Sequence, residues 1–487
     1  MRHAESISSH ASLAPQPQAL GNRAWWALVW LCLAQFMVIL DVTVVNVALP
    51  TIGVDLHLDR TMLTWVVTAY TLCFGGLMLL GGRAADALGR RRTFLAGLGL
   101  FTIASLASGL AQGGALLIAA RAGQGIGAAL LSPSALSIIT TTFHGSERNR
   151  ALGIWAAIGG VGAAVGVLAG GLLTEYASWR WVFFINVPVG IVVALAILAV
   201  VATVPTPAAR RGIDLPGALA ATLAAGSLIY GLIKAGSEGW GAAATLVPVA
   251  AGLALAVVFA VIERTVRQPL VPLGLLARRP LVAGQLVMLA ASGLLLSGFF
   301  LSSLYLQRVA GFTALGTGLA FLPVALVIIA GSHVGARAIG RVGPRPVAAV
   351  GFSLAALGAL LLARLPADGS ALLSLLPGLL LLAAGVGAAF VTAATTAMAS
   401  VDHAHAGLTS GLLNTGHELG AALGVAFVSS IAGASVAGGA AAGQAPVAGF
   451  GHAFLACAAV AAVVAGTITW LLPAGRPPAT DHPVFTH

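Results

Sequence analysis

Two ionisable residues that interrupt long apolar stretches of the sequence are the pair best able to do chemistry. Asp41 stands in Ala24–Ala48 and Arg121 in Ala115–Thr140, and each stretch is long enough to cross a bilayer as a helix. Antiparallel helices would place both side chains roughly 10 Å from the same membrane face. Ionisable groups inside a membrane usually face other helices, where they pair or relay protons. The two residues therefore predict either a proton site or a buried ion pair that only fixes helix packing.

Glu418 is a further acidic residue within an apolar stretch, Leu408–Ile431, and it lies close to the middle of that stretch. Three roles are open for it: it could bind a cationic ligand, serve as a second proton site, or pair with His417 or a hydroxyl. Polar and aromatic side chains could line a cavity beside these charged groups, although the aromatic ones could equally pack against helices or lipid. The candidates for this cavity are Gln35, Asn46, Trp65, Tyr70, Gln124, Asn414 and Glu418.

The composition places these residues in a membrane protein. Of the 487 residues, 59% are hydrophobic and only 8% are charged, and the mean hydropathy is +1.00. Because soluble proteins carry roughly 25% charged residues, the chain is expected to cross a membrane many times. The formal net charge of +10 comes mostly from arginines scattered over many short loops. That distribution indicates membrane topology rather than a nucleic-acid partner.

Several kinds of chemistry are disfavoured by residue usage. The single lysine, Lys234, follows no glycine-rich phosphate-binding loop, so ATP is not expected to drive the protein. A membrane-embedded lipid transferase would need clustered acidic residues, and only fourteen Asp and Glu are scattered along the chain. We therefore expect no enzyme activity, no cofactor and no bound metal. A disulfide or a cysteine-based metal site is not expected, because Cys32, Cys73 and Cys457 all lie in apolar stretches. The small cluster of Asp402, His403 and His405 is not expected to bind a metal either.

Membrane-spanning helices must position the charged groups, and the sequence predicts an all-α polytopic membrane protein with fourteen transmembrane helices. The predicted spans are Ala24–Ala48, Met62–Gly81, Thr93–Ala111, Ala115–Thr140, Ala151–Leu173, Trp181–Val201, Leu215–Ile233, Ala244–Ile262, Leu281–Leu304, Leu315–Val334, Pro346–Ala363, Leu372–Met398, Leu408–Ile431 and Ala453–Leu472. An even number of spans puts both termini on one side of the membrane. Most of the twenty-four basic residues fall on that side, so both termini are predicted to be cytoplasmic.

A short repeat within the sequence suggests two six-helix bundles with two extra central helices between them. Ala336–Arg345 matches the glycine and arginine positions of Gly82–Arg92, with Gly340 in place of Asp86. The predicted division of the chain is a cytoplasmic tail over 1–23, a first bundle over 24–203, a linker with two additional spans over 204–280, a second bundle over 281–473 and a tail over 474–487.

Gly82–Arg92 reads G-R-A-A-D-A-L-G-R-R-R and lies between two predicted spans. Its arginines are costly in hydrocarbon, so the segment is predicted to be a water-facing cytoplasmic loop. Gly82 and Gly89 suit a tight turn, and Asp86 could accept hydrogen bonds from an arginine or from a helix N-terminus.

This spacing resembles the loop after the second helix in the major facilitator superfamily of secondary transporters. The matching residues are Gly82, Asp86, Gly89, Arg90 and Arg91, whereas Ala84 and Ala87 replace a usual leucine and a usual basic residue. Leu116–Ala129, which contains Arg121 and Gln124, resembles the family motif associated with proton coupling.

A motif in the fifth span resembles the one typical of antiporters in this superfamily. It carries Gly162, Gly166 and Gly170 at four-residue steps, although Val167 replaces the usual proline. Glycines at this spacing let helices approach closely, so ordinary close packing is an equally good interpretation. The strings that resemble the fourteen-span drug/proton antiporters more specifically are Leu40–Pro50, Ser178–Gly190, Tyr305–Gly311 and Ser410–Gly420.

The resemblance implies a monomeric exporter in a bacterial inner or plasma membrane. It would move hydrophobic or cationic drugs or antibiotics outward in exchange for protons by alternating access, with the proton motive force in place of a cofactor. Its partners would be the lipid bilayer, protons and a small hydrophobic or cationic substrate. The candidate proton-coupling residues are Arg121, from the family motif, and Asp41 and Glu418, from their positions within apolar stretches. The alternative on the same fold is a facilitator-type importer or metabolite permease.

Overall fold

The computed structural model describes residues 21–143, 145–201, 214–266, 269–271, 274, 278–365, 371–399, 406–441 and 447–472. These residues form α-helices and no β-strand, so the prediction of an all-α protein is confirmed. The helices, in chain order, are α1 (Gly21–Asp55), α2 (Arg60–Leu88), α3 (Arg90–Gly109), α4 (Gly114–Thr142), α5 (Gly145–Tyr176), α6 (Trp181–Phe184), α7 (Asn186–Val200), α8 (Leu215–Glu238), α9 (Ala243–Thr265), α10 (Arg279–Arg308), α11 (Ala314–Val342), α12 (Pro344–Leu362), α13 (Ala371–Met398), α14 (Ala406–Ala441) and α15 (Val447–Leu471).

Twelve helical stretches of the described residues are long and apolar enough to cross a membrane, with α6 and α7 together forming one of them. Two further long helices, α5 and α14, have 32 and 36 residues. The count of fourteen spans and the division into bundles stay predictions. Residues 1–20 and 473–487, which contain most of the two predicted tails, lie outside the described residues.

The first residues of several helices are fixed by side-chain caps. Asp59, Asp214 and Thr313 precede α2, α8 and α11, and each accepts a hydrogen bond from the backbone N–H three residues later, at 2.7, 2.9 and 3.0 Å. Such a cap satisfies an N–H group that the helix itself leaves unpaired, which matters most where little water is available.

The prediction of a loop over Gly82–Arg92 is wrong, because α2 and α3 together cover almost the whole segment. α2 continues to Leu88 and α3 begins at Arg90, so Gly89 alone separates them. Gly89 has a φ of 100°, which favours glycine. Charge does not end the helix here, since arginine side chains at a membrane surface can reach water from a helical backbone.

Other residues of this segment lie at the surface or bind neighbouring helices. Asp86 and Arg90 are exposed, and Arg91 Nη2 donates to the Leu198 carbonyl at 2.8 Å. The similar segment Ala336–Arg345 has the same geometry, because α11 ends at Val342 and Gly343, with a φ of 88°, precedes α12.

Helix packing repeats between α1–α7 and α10–α15. In the first group α1 packs on α5, α4 packs on α2 and α3, and α3 packs on α7; in the second group the equivalent pairs are α10 with α14, α13 with α11 and α12, and α12 with α15. The glycines of α5 face α1: a Cβ on Gly162 would lie 3.0 Å from Ile39 Cγ2, and one on Gly170 would lie 3.0 Å from Val44 Cα. Gly166 meets Thr43 in the same contact.

The two most extensive contacts between the groups are those of α2 with α14 and of α5 with α11. The second pair is very close, because a Cβ on Gly318 would lie 2.7 Å from the Val167 carbonyl oxygen. The central hairpin of α8 and α9 lies beside the first pair, with α8 packed on both α2 and α14.

We predict that Gly89→Ala destabilises the protein by about 1–3 kcal/mol, because alanine is strained at this positive φ. The measurement is the thermal unfolding midpoint in detergent, followed by the loss of the monodisperse peak on size exclusion. Gly82→Ala is the matched control, since a Cβ there meets only Pro133 Cβ at 3.8 Å and alanine favours helix. Equal midpoints for the two variants would contradict the role of the Gly89 backbone.

Candidate functional site

Asp41 of α1 and Arg121 of α4 form a buried ion pair, in which Arg121 Nη1 donates to Asp41 Oδ2. Their exposed fractions are 0% and 1%. The predicted similarity in depth thus brings the two side chains into contact. A buried charge pair is tolerated only when the remaining hydrogen-bonding atoms are also satisfied.

Two side-chain amides satisfy the other oxygen of Asp41. Gln124 Nε2 donates to Asp41 Oδ1 at 2.9 Å, and Asn186 Nδ2 of α7 donates to the same oxygen at 3.0 Å. Asp41 therefore accepts hydrogen bonds from three side chains, so both of its carboxylate oxygens have partners.

Two serines of α3 extend this network. Ser105 Oγ accepts from Gln124 Nε2 at 3.1 Å and from Asn186 Nδ2 at 2.9 Å, and it donates to the Phe183 carbonyl at 2.9 Å. Ser108 Oγ donates to Gln124 Oε1 at 3.2 Å. We call Asp41, Ser105, Ser108, Arg121, Gln124 and Asn186 the polar network; all six are buried.

Helix α2 completes the environment of Arg121. Arg121 Nε donates to the Val66 carbonyl at 3.1 Å, and the guanidinium carbon lies 4.3 Å from the centroid of the Tyr70 ring. A cation against the face of a tyrosine is stabilised by the ring quadrupole, especially when both are desolvated. Arg121 is thereby held by α1, α2 and α4 at once.

The sequence did not reveal the roles of Asn186 and Ser105. Asn186 belongs to a string that supports the family resemblance, and an amide within an apolar span was the available signal. Ser105 carried no comparable signal, because serine is common in membrane helices, where it often bonds its own backbone.

Glu418 lies away from the polar network, where α14 packs on α2. It is 9% exposed, and a Cβ on Gly75 of α2 would lie 2.5 Å from Glu418 Cβ. His417 Nδ1 lies 3.3 Å from Glu418 Oε1, which is the pairing with His417 that the sequence suggested.

The predicted cavity residues differ in their burial and in their neighbours. Tyr70 and Gln124 are fully buried around Arg121, and the Trp65 ring lies 6.5 Å from that of Tyr230 in α8. Trp65 therefore faces the central hairpin, and Asn414 is exposed. A cavity of about 250 Å³ between α8, α10, α14 and α15 contains none of the seven predicted side chains.

Two of the predicted cavity residues keep free acceptors on α1. Gln35 Oε1 and Asn46 Oδ1 are buried without a hydrogen-bond partner in the part of the chain that the structure describes. Over the same residues no group of three metal-ligating side chains occurs, and Asp402, His403 and His405 lie outside them.

We predict that Asn186→Ala destabilises the folded protein by about 1–3 kcal/mol, because Asp41 Oδ1 and Ser105 Oγ each lose a buried donor. The thermal unfolding midpoint in detergent checks this value. Asn414→Ala is the matched control, since Asn414 is exposed and its loss should leave the midpoint almost unchanged. A midpoint for Asn186→Ala as high as that of the parent would show that the amide contributes nothing to the network.

Comparison with known proteins agrees with this architecture. The profile of the Major Facilitator Superfamily matches residues 31–425. The chain is 39% identical to the puromycin resistance protein pur8 of Streptomyces alboniger, over 98% of this chain and 95% of that protein. It is 40% identical to the cephamycin export protein CmcT of Amycolatopsis lactamdurans, over 95% of this chain and 96% of that protein.

A solved structure shares the fold. The bacterial homologue of the human lysosomal transporter Spinster, in an inward-facing and unoccupied conformation, superposes with a TM-score of 0.67 and 18% identity over 93% of this chain and 97% of that one. From the profile match and these full-length relatives, this multi-pass membrane protein belongs to the Major Facilitator Superfamily of transporters.

Proposed function

We propose that this transporter exports hydrophobic or cationic antibiotics and drugs in exchange for protons, by alternating access between its two helix groups. The observation that carries the proposal is the polar network, in which an ionisable acid deep in the first group accepts hydrogen bonds from three side chains on two other helices. The names of the two relatives, one a puromycin resistance protein and the other a cephamycin exporter, support antibiotics as the substrate class.

The proton motive force is sufficient for this work. One proton that crosses ~100 mV and ~1 pH unit releases about 3.7 kcal/mol. That free energy sustains a gradient of several hundred-fold for a neutral substrate. No cofactor is needed beyond the proton gradient itself.

The geometry gives Asp41 a way to couple protonation to helix movement. A proton on Asp41 Oδ2 would point at Arg121 Nη1, and a proton on Oδ1 would point at two amide donors. A donor facing a donor is unfavourable, so protonation of Asp41 would rearrange one of these contacts, and we propose that α1 then shifts against α4 or α7. Glu418 is the second proposed proton site, because it lies where α2 of one group contacts α14 of the other.

Hydrogen bonds between the two groups support a conformation that is closed at one end. Ser303 Oγ and Gln307 Nε2 of α10 each donate to a backbone carbonyl of α1, those of Asn46 and Val47, both at 2.8 Å. Thr64 of α2 and Ser429 of α14 are joined by a hydroxyl–hydroxyl bond of 2.7 Å. In the proposed topology these contacts lie toward the outer face, so the open side would be the cytoplasm.

The finer architecture belongs to the same proposal. Helices α5 and α14 supply the thirteenth and fourteenth spans beside the twelve candidates, and both termini are cytoplasmic. The protein acts as a monomer in a bacterial inner membrane, with protons, lipid and the antibiotic as its partners.

We predict that Asp41→Asn abolishes proton coupling while substrate binding remains. The variant keeps the shape and one acceptor oxygen but cannot exchange a proton. Purified protein in liposomes under an imposed pH gradient is tested with puromycin, a cephamycin and a lipophilic cation, and proton flux and substrate movement are recorded together. Glu238→Gln is the control, because Glu238 is an exposed carboxylate that pairs with Lys234 at 2.8 Å.

Two outcomes would contradict the proposal at different levels. Full coupling in Asp41→Asn would make Asp41 structural and leave Glu418→Gln as the variant that must lose coupling. Substrate movement without proton flux in the parent protein would replace antiport by facilitated transport.

A further inference from the structure

The central hairpin lies beside the contact between α2 of the first helix group and α14 of the second. Helix α8 packs on α2 of the first group and on α14 of the second. A Cβ on Gly76 of α2 would lie 2.7 Å from Thr222 Oγ1, and one on Gly236 would lie 2.7 Å from Ser430 Cα of α14. The hairpin therefore touches both partners of the α2–α14 pair.

A segment that follows the hairpin is also buried beside this contact. Leu270 and Val271 are each 3% exposed, although they belong to a short connection between α9 and α10. We call Pro269–Val271 the wedge. Leu270 and Val271 share one apolar cluster with Ala218 of α8, Leu281 of α10, Ala397 of α13 and Leu412 and Leu413 of α14, and Leu77 of α2 packs against this cluster.

Two hydrogen bonds hold the backbone of the wedge, one at its first residue and one at its last. Arg83 Nη2, near the end of α2, donates to the Pro269 carbonyl at 2.7 Å. Glu263 Oε2, near the end of α9, accepts from the Val271 backbone N–H at 3.0 Å. The first residue of the wedge is thus tied to the first helix group, and its last residue is tied to the hairpin.

Packing alone does not explain why the buried residue at position 263 is a glutamate. It is 3% exposed, and its Oε1 has no hydrogen-bond partner in the described chain; the same is true of Oδ2 of Asp214 at the start of α8. Asp214 and Arg83 lie within electrostatic range of Glu263. A buried carboxylate is costly, so an apolar side chain would serve simple packing better.

We propose that the wedge couples the central hairpin to the movement of α2 against α14, and that Arg83 and Glu263 are its positioning residues. The inference rests on the proposed function, since that movement is part of alternating access. Leu270 and Val271 belong to an apolar cluster formed with α2, α8 and the second group, while the backbone of the wedge is tied to α2 at Pro269 and to α9 at Val271. A shift of α2 along α14 must therefore either carry the hairpin with it or expose two apolar side chains.

The test of the anchors uses a full-length variant without native cysteines, into which Val271→Cys is introduced. A membrane-impermeant maleimide should label this thiol slowly in the parent, and Arg83→Ala or Glu263→Ala should raise the rate at least ten-fold. Glu263→Gln retains an acceptor for the Val271 N–H and should label at nearly the parent rate. Arg90→Ala and Glu238→Ala are controls, because both side chains are exposed. Unchanged labelling in both anchor variants would overturn the proposal.

The positioning role is read from a distance that does not depend on transport. Spin labels at Leu88→Cys, at the exposed end of α2, and Met398→Cys, at the end of α13, report the separation of the two groups. Glu263→Ala should broaden or shift the distance distribution, and Glu238→Ala should not. Faster labelling with an unchanged distribution would reduce the wedge to packing and overturn its role.

Antibiotic transport in liposomes then separates this inference from the proposed function. Glu263→Ala should lower the transport turnover several-fold with little change in substrate affinity, and Glu263→Gln should restore it. A parent that moves none of the test antibiotics would refute the proposed function, while labelling and distances would still decide whether the wedge positions α2. Unchanged turnover in Glu263→Ala would overturn the coupling.

Discussion

The ion pair of Asp41 and Arg121 imposes the strictest demand on this fold. Removing one partner of a buried pair costs about 3–5 kcal/mol, because the other charge is left uncompensated. The remaining atoms of the pair need donors and acceptors that no lipid can supply. They come from α2, α3, α4 and α7, so the polar network determines how these helices must meet around α1. Helix packing in the first group is in this sense built around one carboxylate.

The two helix groups resemble each other in packing, but the two main contacts between the groups differ. Gly89 and Gly343 form equivalent positive-φ corners, and the helix pairings repeat. The α5–α11 pair is held by backbone contacts at glycine, as at Gly318. The α2–α14 pair instead carries Glu418, α8 and the wedge. This asymmetry gives the central hairpin a structural relation to one of the two contacts and not to both.

Sequence reasoning succeeded where a physical rule has few exceptions. Charges within membrane spans must find partners, and this rule, together with the similar depth of the two residues, paired Asp41 with Arg121. It failed at Gly82–Arg92, because arginine side chains leave the helical backbone free to continue to the surface; the positive φ at Gly89 ends α2 instead.

The cavity residues were harder to place from sequence. Trp65 and Tyr70 lie five residues apart on α2 and face different neighbours, α8 and Arg121 respectively. The two faces of α2 differ because the central hairpin packs on only one of them. No local pattern in the sequence of α2 indicates where the hairpin lies. Amide and hydroxyl partners such as Asn186 were missed for a similar reason, since the role of Asn186 depends on residues of two other helices, α1 and α3.

Helix α2 is the element through which the separate features meet. Tyr70 lies against Arg121 of the polar network, Gly75 lies against Glu418 five residues later, and Arg83 holds the wedge near the end of the same helix. A helix transmits displacement along its axis, because its backbone hydrogen bonds make it stiff over this length. In the proposed mechanism, a protonation of Asp41 that freed Arg121 would take the cation away from the face of the Tyr70 ring, and α2 would lose a contact to α4. The same movement would then change the packing at Glu418 and the pull on the wedge, so one rigid helix can relate both acidic sites to the central hairpin.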